Sequence, residues 1–300
     1  MSDATVQLSV IVVNWNAGEM LARCLDSVTS SAAGLRSEVW LVDNASNDGS
    51  AERASGAYPD LTLIRNSENL GFAAAADQAL SQATGEYLLL LNPDAQITQA
   101  SLERLIAVMK QHTRIGIAGC QSVDESGQVA PGYELSYPGQ RGAGVAGASA
   151  GQITEVAWVS GACLLARRAM VEQIGLLDPD FFMYYEDVDW CYRARQAGWG
   201  VVTVLDVAVQ HELGGTSARV PAAETARRAA ASRLRFYQKH YPPWRAAWLR
   251  ARLLFANLAG WGLRSLPSLL DPAMRQARQM NWARVRAALH TRSAGRSATG

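Results

Sequence analysis

The sequence predicts an α/β protein: a doubly wound, mostly parallel, twisted sheet with flanking helices, followed by a basic helical tail. Three observations predict it. Short β-rich apolar runs alternate with helical patterns over the first 120 residues, polar residues stand at the carboxyl ends of three of those runs, and the charge changes sign near residue 224. The runs are LSVIVV (8–13), EVWLVD (38–43), LTLIR (61–65) and EYLLLLN (86–92), nearly continuous in apolar residues. Strands covered on both faces of a parallel sheet read this way. Helices are expected over 18–31, 49–57, 72–84 and 99–112, the last capped by Thr98 or Ser101 ahead of LERLIAVM.

Beyond residue 120 the pattern loosens. Residues 139–152, GQRGAGVAGASAGQ, are almost all Gly, Ala and Ser and read as a mobile loop, a candidate lid. VAWVSGACLLARRAMVEQIG then reads as a strand running into a helix, and GVVTVLDVAVQH as a strand closed by His211. Residues 1–221 are thus expected to form one domain with halves 1–120 and 121–221, and 222–300 a helical tail.

A hydrophobic content of 49% with 18% charged residues is ample for a core. Cys24, Cys120, Cys163 and Cys191 form no C-x-x-C pair, which argues against a zinc site or a disulfide framework and for a reducing compartment. MSDATVQ lacks the basic residues of an export signal, so a cytoplasmic protein is expected.

The net charge of +1 conceals a division. Residues 1–224 hold 13 Lys and Arg against 26 Asp and Glu; residues 225–300 hold 15 against Asp271 alone. Such a tail faces an anionic surface, nucleic acid or phospholipid. In WRAAWLRARLLFANL (244–258) a helix brings Trp244, Trp248, Ala251, Phe255 and Leu258 onto one face, flanked by Arg245, Arg252 and Arg250. That is an interfacial arrangement, and the apolar run 253–263 is shorter than the ~20 residues a span needs. Four of the nine tryptophans lie in the tail, which favours lipid headgroups over DNA. The expectation is peripheral attachment to the inner face of the cell membrane through 241–263, and no nucleic-acid partner. A packing helix with solvated arginines would share the pattern.

Ligands of a doubly wound sheet bind at the carboxyl ends of its strands, which here carry Asn14 with Asn16, Asp43 with Asn44, and Asn92 with Asp94. In Asn92-Pro93-Asp94 a buried strand delivers a carboxylate to the sheet edge, where it suits Mg²⁺ or Mn²⁺ shared with substrate phosphates, although any strand-ending turn uses the same residues. Asp43 can accept from a base N–H or a ribose hydroxyl, and in NASNDGS the hydroxyl of Ser46 is a candidate helix cap. Asn69-Leu70-Gly71-Phe72 opens the third helix with a glycine that lets backbone amides approach a diphosphate. His211 could complete a metal site or serve as a structural hydrogen-bonding residue. In YYEDVDWC (184–191), Glu186, Asp187 and Asp189 cannot all face one way, so they must be allotted different tasks. A general base needs one of them.

Taken in order, VVNWN (12–16), LVDNASNDGS (41–50), NLGFAAAAD (69–77), LLLNPDA (89–95), SGACLLARR (160–168), GLLDPDFFMYYEDVDWCYRARQAGW (175–199) and VQHELGGTS (209–217) closely resemble the family 2 glycosyltransferases, in particular a bacterial rhamnosyltransferase-like branch. The resemblance covers about residues 8 to 240. It implies a GT-A fold, a nucleotide-diphosphate sugar donor, a divalent cation (Mg²⁺ or Mn²⁺) and inversion at the anomeric carbon. It further implies that Val13, Asn14, Trp15 and Asp43 hold base and ribose, with Asn69, Gly71 and Asn92 completing the donor site. Asp94 matches the second acid of the family's Asp-x-Asp metal motif, whose first position is here Asn92, and His211 matches a histidine that adds a ligand in some members. Asp187 matches the catalytic base, with Glu186, Trp158 and Tyr185 towards the acceptor.

The expected activity is transfer of a sugar, rhamnose from dTDP-rhamnose in first place and a UDP-linked hexose next, to a lipid-linked or polysaccharide acceptor in cell-envelope glycan synthesis. A nucleotidyltransferase would want a Gly-rich basic loop near the first strand, which WNAGEM does not supply. A non-catalytic scaffold that binds sugar nucleotides would have no need of both Asp94 and Asp187.

Overall fold

The computed structural model describes residues 6–140, 149–150, 152–212, 220–263 and 272–291. The first stretch runs β1 (Leu8–Asn14), α1 (Glu19–Ser31), β2 (Ser37–Asp43), α2 (Ser50–Ala57), β3 (Leu61–Arg65), α3 (Phe72–Leu80) and β4 (Tyr87–Leu91). There follow β5 (Ala95–Gln96), α4 (Gln99–Gln111), β6 (Ile115–Val123), β7 (Val129–Ala130) and β8 (Tyr133–Glu134). Next come β9 (Ser149–Ala150), β10 (Ile153–Glu155), β11 (Trp158–Val159), β12 (Cys163–Arg167), α5 (Arg168–Ile174), α6 (Glu186–Gln196) and β13 (Gly200–His211). Three helices close the chain: α7 (Ala222–His240), α8 (Pro243–Leu263) and α9 (Pro272–His290).

The chain divides into two compact units, residues 1–179 with 186–216, and residues 180–185 with 217–300. The first unit is built on a mixed sheet of order β3-β2-β1-β4-β12-β6-β13-β10-β9. β1 to β4 are parallel as expected; β1 and β4 are buried along their whole length, whereas β3, at the sheet edge, is only partly covered. β12 enters antiparallel between β4 and β6. Alternation along the strands serves two cores: Leu8, Val10, Val12, Leu89 and Leu91 face α1 and α4, whereas Ile11, Val13, Leu88 and Leu90 face α3, α5 and α6.

Local chemistry explains the boundaries. Thr98 caps α4, its hydroxyl accepting from the Ser101 amide at 3.2 Å. Ser46 does not cap α2; the N-cap position is Gly49 in the left-handed region, and the Ser46 hydroxyl is taken by Asn14 and by the Asn16 amide. Gly85 packs so close to β1 that a Cβ there would lie 2.5 Å from the Ser9 nitrogen, and its amide donates to the Ser9 hydroxyl. Of the glycine-rich segment 139–152, residues 141–148 and 151 lie outside the described residues. Ser149–Ala150 is a strand paired with β10, because ladder bonds use the backbone and need no bulky side chain.

In the second unit α7, α8 and α9 pack on one another. Ala226, Ala230, Leu234 and Tyr237 form the buried seam of α7, and Ala246, Leu249 and Asn257 that of α8. The opposite face of α8 is open, with Trp244 65%, Trp248 52% and Phe255 77% exposed. Among the described residues no helix is long and apolar enough to cross a membrane. Residues 180–185 join this unit through an Asp180–Arg235 ion pair, a 2.8 Å bond from the Ser232 hydroxyl to the Met183 carbonyl, and the Arg228 guanidinium over Phe182. Tyr184 and Tyr185 both adopt left-handed backbone, φ 69° and 71°, a conformation expensive for bulky residues.

One carboxylate links this frame to pH. Asp77 on α3 accepts from the Leu177 amide at 3.0 Å, and burial pushes its pKa up to about 7 against the pull of that bond and of Arg193. Its folded pKa exceeds the unfolded one, so its contribution to stability is intact below about pH 4 and declines as pH rises towards 7. Asp77→Asn keeps the acceptor oxygen and removes the charge. It should raise the melting temperature at pH 8 by roughly 3 °C, the equivalent of about 1 kcal/mol, and change nothing at pH 4, as scanning calorimetry would read.

Candidate active site

Parallel registry places Asn14, the last residue of β1, beside Asp43, the last of β2. The Asn14 amide nitrogen lies 3.1 Å from Asp43 Oδ1, 3.0 Å from Ser46 Oγ and 2.9 Å from Ser50 Oγ, while its Oδ1 accepts from the Ala17 amide. Asn14 is fully buried and its side chain is spent on the protein. It fixes Asp43, whose Oδ2 keeps no hydrogen-bond partner among the described residues. Val13 is a core residue and Trp15 is half-buried. The following loop is held by Asp48, which accepts from the Gly18 amide at 2.8 Å and from Ser50.

A second set of amides ties the next strand end. Asn44 donates to Asn69 Oδ1 at 3.0 Å and to the Gly71 carbonyl at 3.1 Å, and its Oδ1 accepts from Asn66 and from the Leu70 amide. Asn69 in turn accepts from the Gly71 amide at 2.9 Å. Gly71, φ 84° and ψ 171°, is the N-cap of α3 in a conformation that side chains avoid. Sequence reasoning noted Asn44 at a strand end but gave it no role. The signal was its position directly after Asp43, where a 2% exposed amide must be satisfied.

At the end of β4 the Asn92 amide donates to the Ala162 carbonyl at 3.0 Å, and its own carbonyl accepts from the Ala95 amide, closing the turn around Pro93. Asp94 is only 6% exposed. β5 pairs antiparallel with the end of β13, setting His211 opposite Ala95, so His211 Nε2 lies 3.2 Å from Asp94 Oδ1. Two adjacent ligands of an octahedral cation with bonds of ~2.1 Å stand about 3 Å apart. The pair therefore fits a divalent ion whose other positions come from phosphate and water. An imidazole in the set suits Mn²⁺ better than Mg²⁺. Among the described residues no cluster of three or more acidic, His or Cys ligands exists, so protein alone would hold the ion weakly.

The three acids of the octapeptide have three environments. Asp189 is fully buried and receives the Arg193 Nε at 2.8 Å. The same guanidinium donates to the Ile174 and Leu176 carbonyls, and Trp190 Nε1 to the Gly175 carbonyl, so this side of α6 closes the carbonyl end of α5. Asp187 is half-buried, and its Oδ2 accepts from the Gly161 amide at 2.9 Å. Glu186 is 8% exposed with an Oε2 that no described group satisfies. Burial raises the pKa of Asp187 against the bonds from the Gly161 and Val188 amides. Burial, reinforced by the Asp187 charge, raises that of Glu186 well above the usual carboxylate range. Of the pair, Glu186 is the one that takes a proton more readily.

Asp187 and the Asn92 turn are joined through two neighbours: Gly161 binds Asp187, and Ala162 binds Asn92. The structure thus brings Asp187, Asn92, Asp94 and His211 to one margin of the sheet in the first unit. Trp158 stands half-buried on β11, which packs against α6. Tyr185 belongs to the second unit, its ring 5.9 Å from Phe236. Gly161, whose amide orients Asp187, was missed, because a backbone donor leaves no mark on side-chain chemistry. Residues 213–217 of the VQHELGGTS motif lie outside the described residues.

The family model for glycosyl transferase family 2 matches residues 9–192. The N-acetylglucosaminyl-diphospho-decaprenol L-rhamnosyltransferase of Mycobacterium tuberculosis is 30% identical over 267 residues, 80% of this chain and 87% of that protein. A low-salt glycan biosynthesis hexosyltransferase of Haloferax volcanii is 29% identical over 199 residues, 63% of this chain and 62% of that protein. Among solved structures, a mannosyltransferase of Pyrobaculum calidifontis in complex with GDP-Man and Mn²⁺ superposes with a TM-score of 0.59 at 19% identity, covering 96% of this chain and 88% of that one. Its likeness shows the GT-A fold. With the family model spanning well over half of the chain and a 30% identical relative aligned along most of it, the protein belongs to glycosyl transferase family 2 and is a glycosyltransferase.

Proposed function

We propose that the protein transfers a sugar from a nucleotide diphosphate to a lipid-linked acceptor with inversion, rhamnose from dTDP-rhamnose being the favoured donor. The observation that carries this reading is the joined Gly161–Ala162 pair, which seats one carboxylate beside the turn that bears Asp94, itself paired with His211 at the end of β13. Asp43 receives the base or ribose through its open oxygen, with Asn14 as its positioning residue; Asn69 and Gly71 shape the diphosphate approach at the N-terminus of α3. Asp187 takes the proton of the acceptor hydroxyl as that oxygen bonds to the anomeric carbon and the carbon–phosphate-oxygen bond breaks, releasing the nucleoside diphosphate. A divalent cation held by Asp94 and His211 would neutralise charge on the departing diphosphate. Glu186 and the Trp158 ring face the acceptor, where a carboxyl that burial makes readily protonated and an aromatic surface suit a sugar.

The donor and acceptor are read from the relative in Mycobacterium tuberculosis, whose name states a diphospho-decaprenol-linked acceptor and an L-rhamnosyl group. The hexosyltransferase relative supports a hexose as the second choice of sugar, for which UDP is the proposed carrier. Attachment to an anionic membrane through α8 follows from its exposed face, where Trp244, Trp248 and Phe255 stand beside Arg245 and Arg252, with the Arg252 guanidinium 5.5 Å from the Trp248 ring. The enzyme would work at the cytoplasmic face.

Turnover measured over dTDP-, UDP- and GDP-linked sugars should single out dTDP-rhamnose; a preference for a UDP-hexose would move the assignment to the second donor. Asp187→Asn should lower transfer by about 10³-fold, within the range for a lost general base, with donor affinity nearly unchanged, whereas Glu186→Gln should stay within a few-fold. Because a base acts ionised and burial raises the Asp187 pKa, kcat/KM should fall on acidification at a pH above the ordinary carboxylate range. Asp94→Ala should weaken donor binding and abolish its response to Mn²⁺ in calorimetric titrations. Trp248→Glu with Phe255→Glu should release the protein from anionic vesicles in co-sedimentation without changing donor hydrolysis.

A further inference from the structure

Arginines of the helical unit fall into two sets. Arg227 and Arg228 both pair with Glu224, at 2.7 and 2.8 Å, and Arg235 pairs with Asp180. These three line a cavity of about 410 Å³ on one flank of α7, and their charge is largely answered by the two acids. On the other flank Arg233 of α7, Arg252 of α8 and Arg284 of α9 line a second cavity of about 370 Å³. None of these three has a carboxylate partner among the described residues, where the buried Arg233 Nε, like the Nε of Arg235, also finds no hydrogen-bond partner. Three helices thus each contribute to the lining of one hollow an arginine without a carboxylate partner among the described residues.

Like charges brought together without a counter-ion repel, and the repulsion grows as water is excluded. A solvated helix face would spread its arginines outward. Convergence of this kind is relieved by a multivalent anion, and guanidinium forks match the paired oxygens of phosphates. Apart from Tyr185 and Asn257 the remaining wall is aliphatic, with Leu249, Leu253 and Ala230 among its residues, which suits an alkyl chain. Arg252 also stacks on Trp248 of the exposed aromatic face, so the charged hollow borders the surface that would rest on lipid.

We propose that this cavity binds the diphosphate of a lipid-linked acceptor, taking the phosphates on Arg233, Arg252 and Arg284 and the first carbons of the isoprenoid chain along Leu249 and Leu253. The inference rests on the lipid-linked acceptor named above. It assigns diphosphate recognition to the helical unit, apart from the donor site on the sheet.

Binding to the full-length protein is measured by tryptophan fluorescence and calorimetry with farnesyl diphosphate, inorganic pyrophosphate, farnesol and dTDP as probes. Farnesyl diphosphate should bind, pyrophosphate should compete with at least tenfold lower affinity, farnesol should not bind, and saturating dTDP should displace nothing. Arg284→Gln and the exposed Arg252→Gln should each weaken farnesyl diphosphate at least tenfold, while Arg227→Gln, whose guanidinium serves the acid-paired cavity, should leave it unchanged. Unaltered binding in both cavity variants overturns the proposal, as does displacement by dTDP. Equal affinity for pyrophosphate would make the hollow a free-anion site and overturn its lipid assignment. Circular dichroism melts identify any misfolded variant, and Arg252, lying at the surface, tests the idea even if Arg284→Gln fails to fold. Donor hydrolysis in the same samples separates the two readings: its absence with farnesyl diphosphate still bound would sink only the transferase assignment.

Discussion

The main-chain amide of Gly161 reaches Asp187 at 2.9 Å, and the arrangement of the sheet margin follows from that bond. A carboxylate taken partly out of water is costly unless something answers its charge. Here a backbone dipole answers it, and a dipole, unlike an arginine, leaves the group basic. The residue after the donor then binds Asn92, so the acid is registered against the end of β4 by covalent neighbours rather than by flexible side chains. Placement of this kind resists the small displacements that cost enzymes most.

The three acids show how one short stretch separates chemical duties by environment. Asp189 is a structural ion, its charge closed by Arg193 in the core. Burial and the neighbouring Asp187 charge push Glu186 up well above its ordinary value, while Asp187, also raised by burial, is held down by the Gly161 and Val188 amides.

Much of the architecture was legible. Nearly continuous apolar runs and their polar termini marked the parallel strands, and Thr98 marked a helix start, because these features depend on local pattern and capping. Ser46 misled because its hydroxyl had two uses, and a contact with Asn14, 32 positions away, outcompeted the local one. Asn44 and Gly161 were silent for a related reason: buried amides and backbone donors carry no compositional signature until the chain is folded around them. The pairing of His211 with Asp94 spans 117 positions; the family resemblance implied it, and the β5–β13 ladder is what brings the two together.

The excursion of residues 180–185 has a bearing on any attempt to excise the catalytic half. The hexapeptide is anchored by Arg235, Ser232 and Arg228, all on α7, and ends in two tyrosines held in a conformation that isolated chains shun. A clone terminated before α7 would leave that hairpin-like detour without its moorings, one residue upstream of Glu186. Shortened versions of this enzyme should therefore be designed around retention of the first long terminal helix, with any trimming begun from the far end.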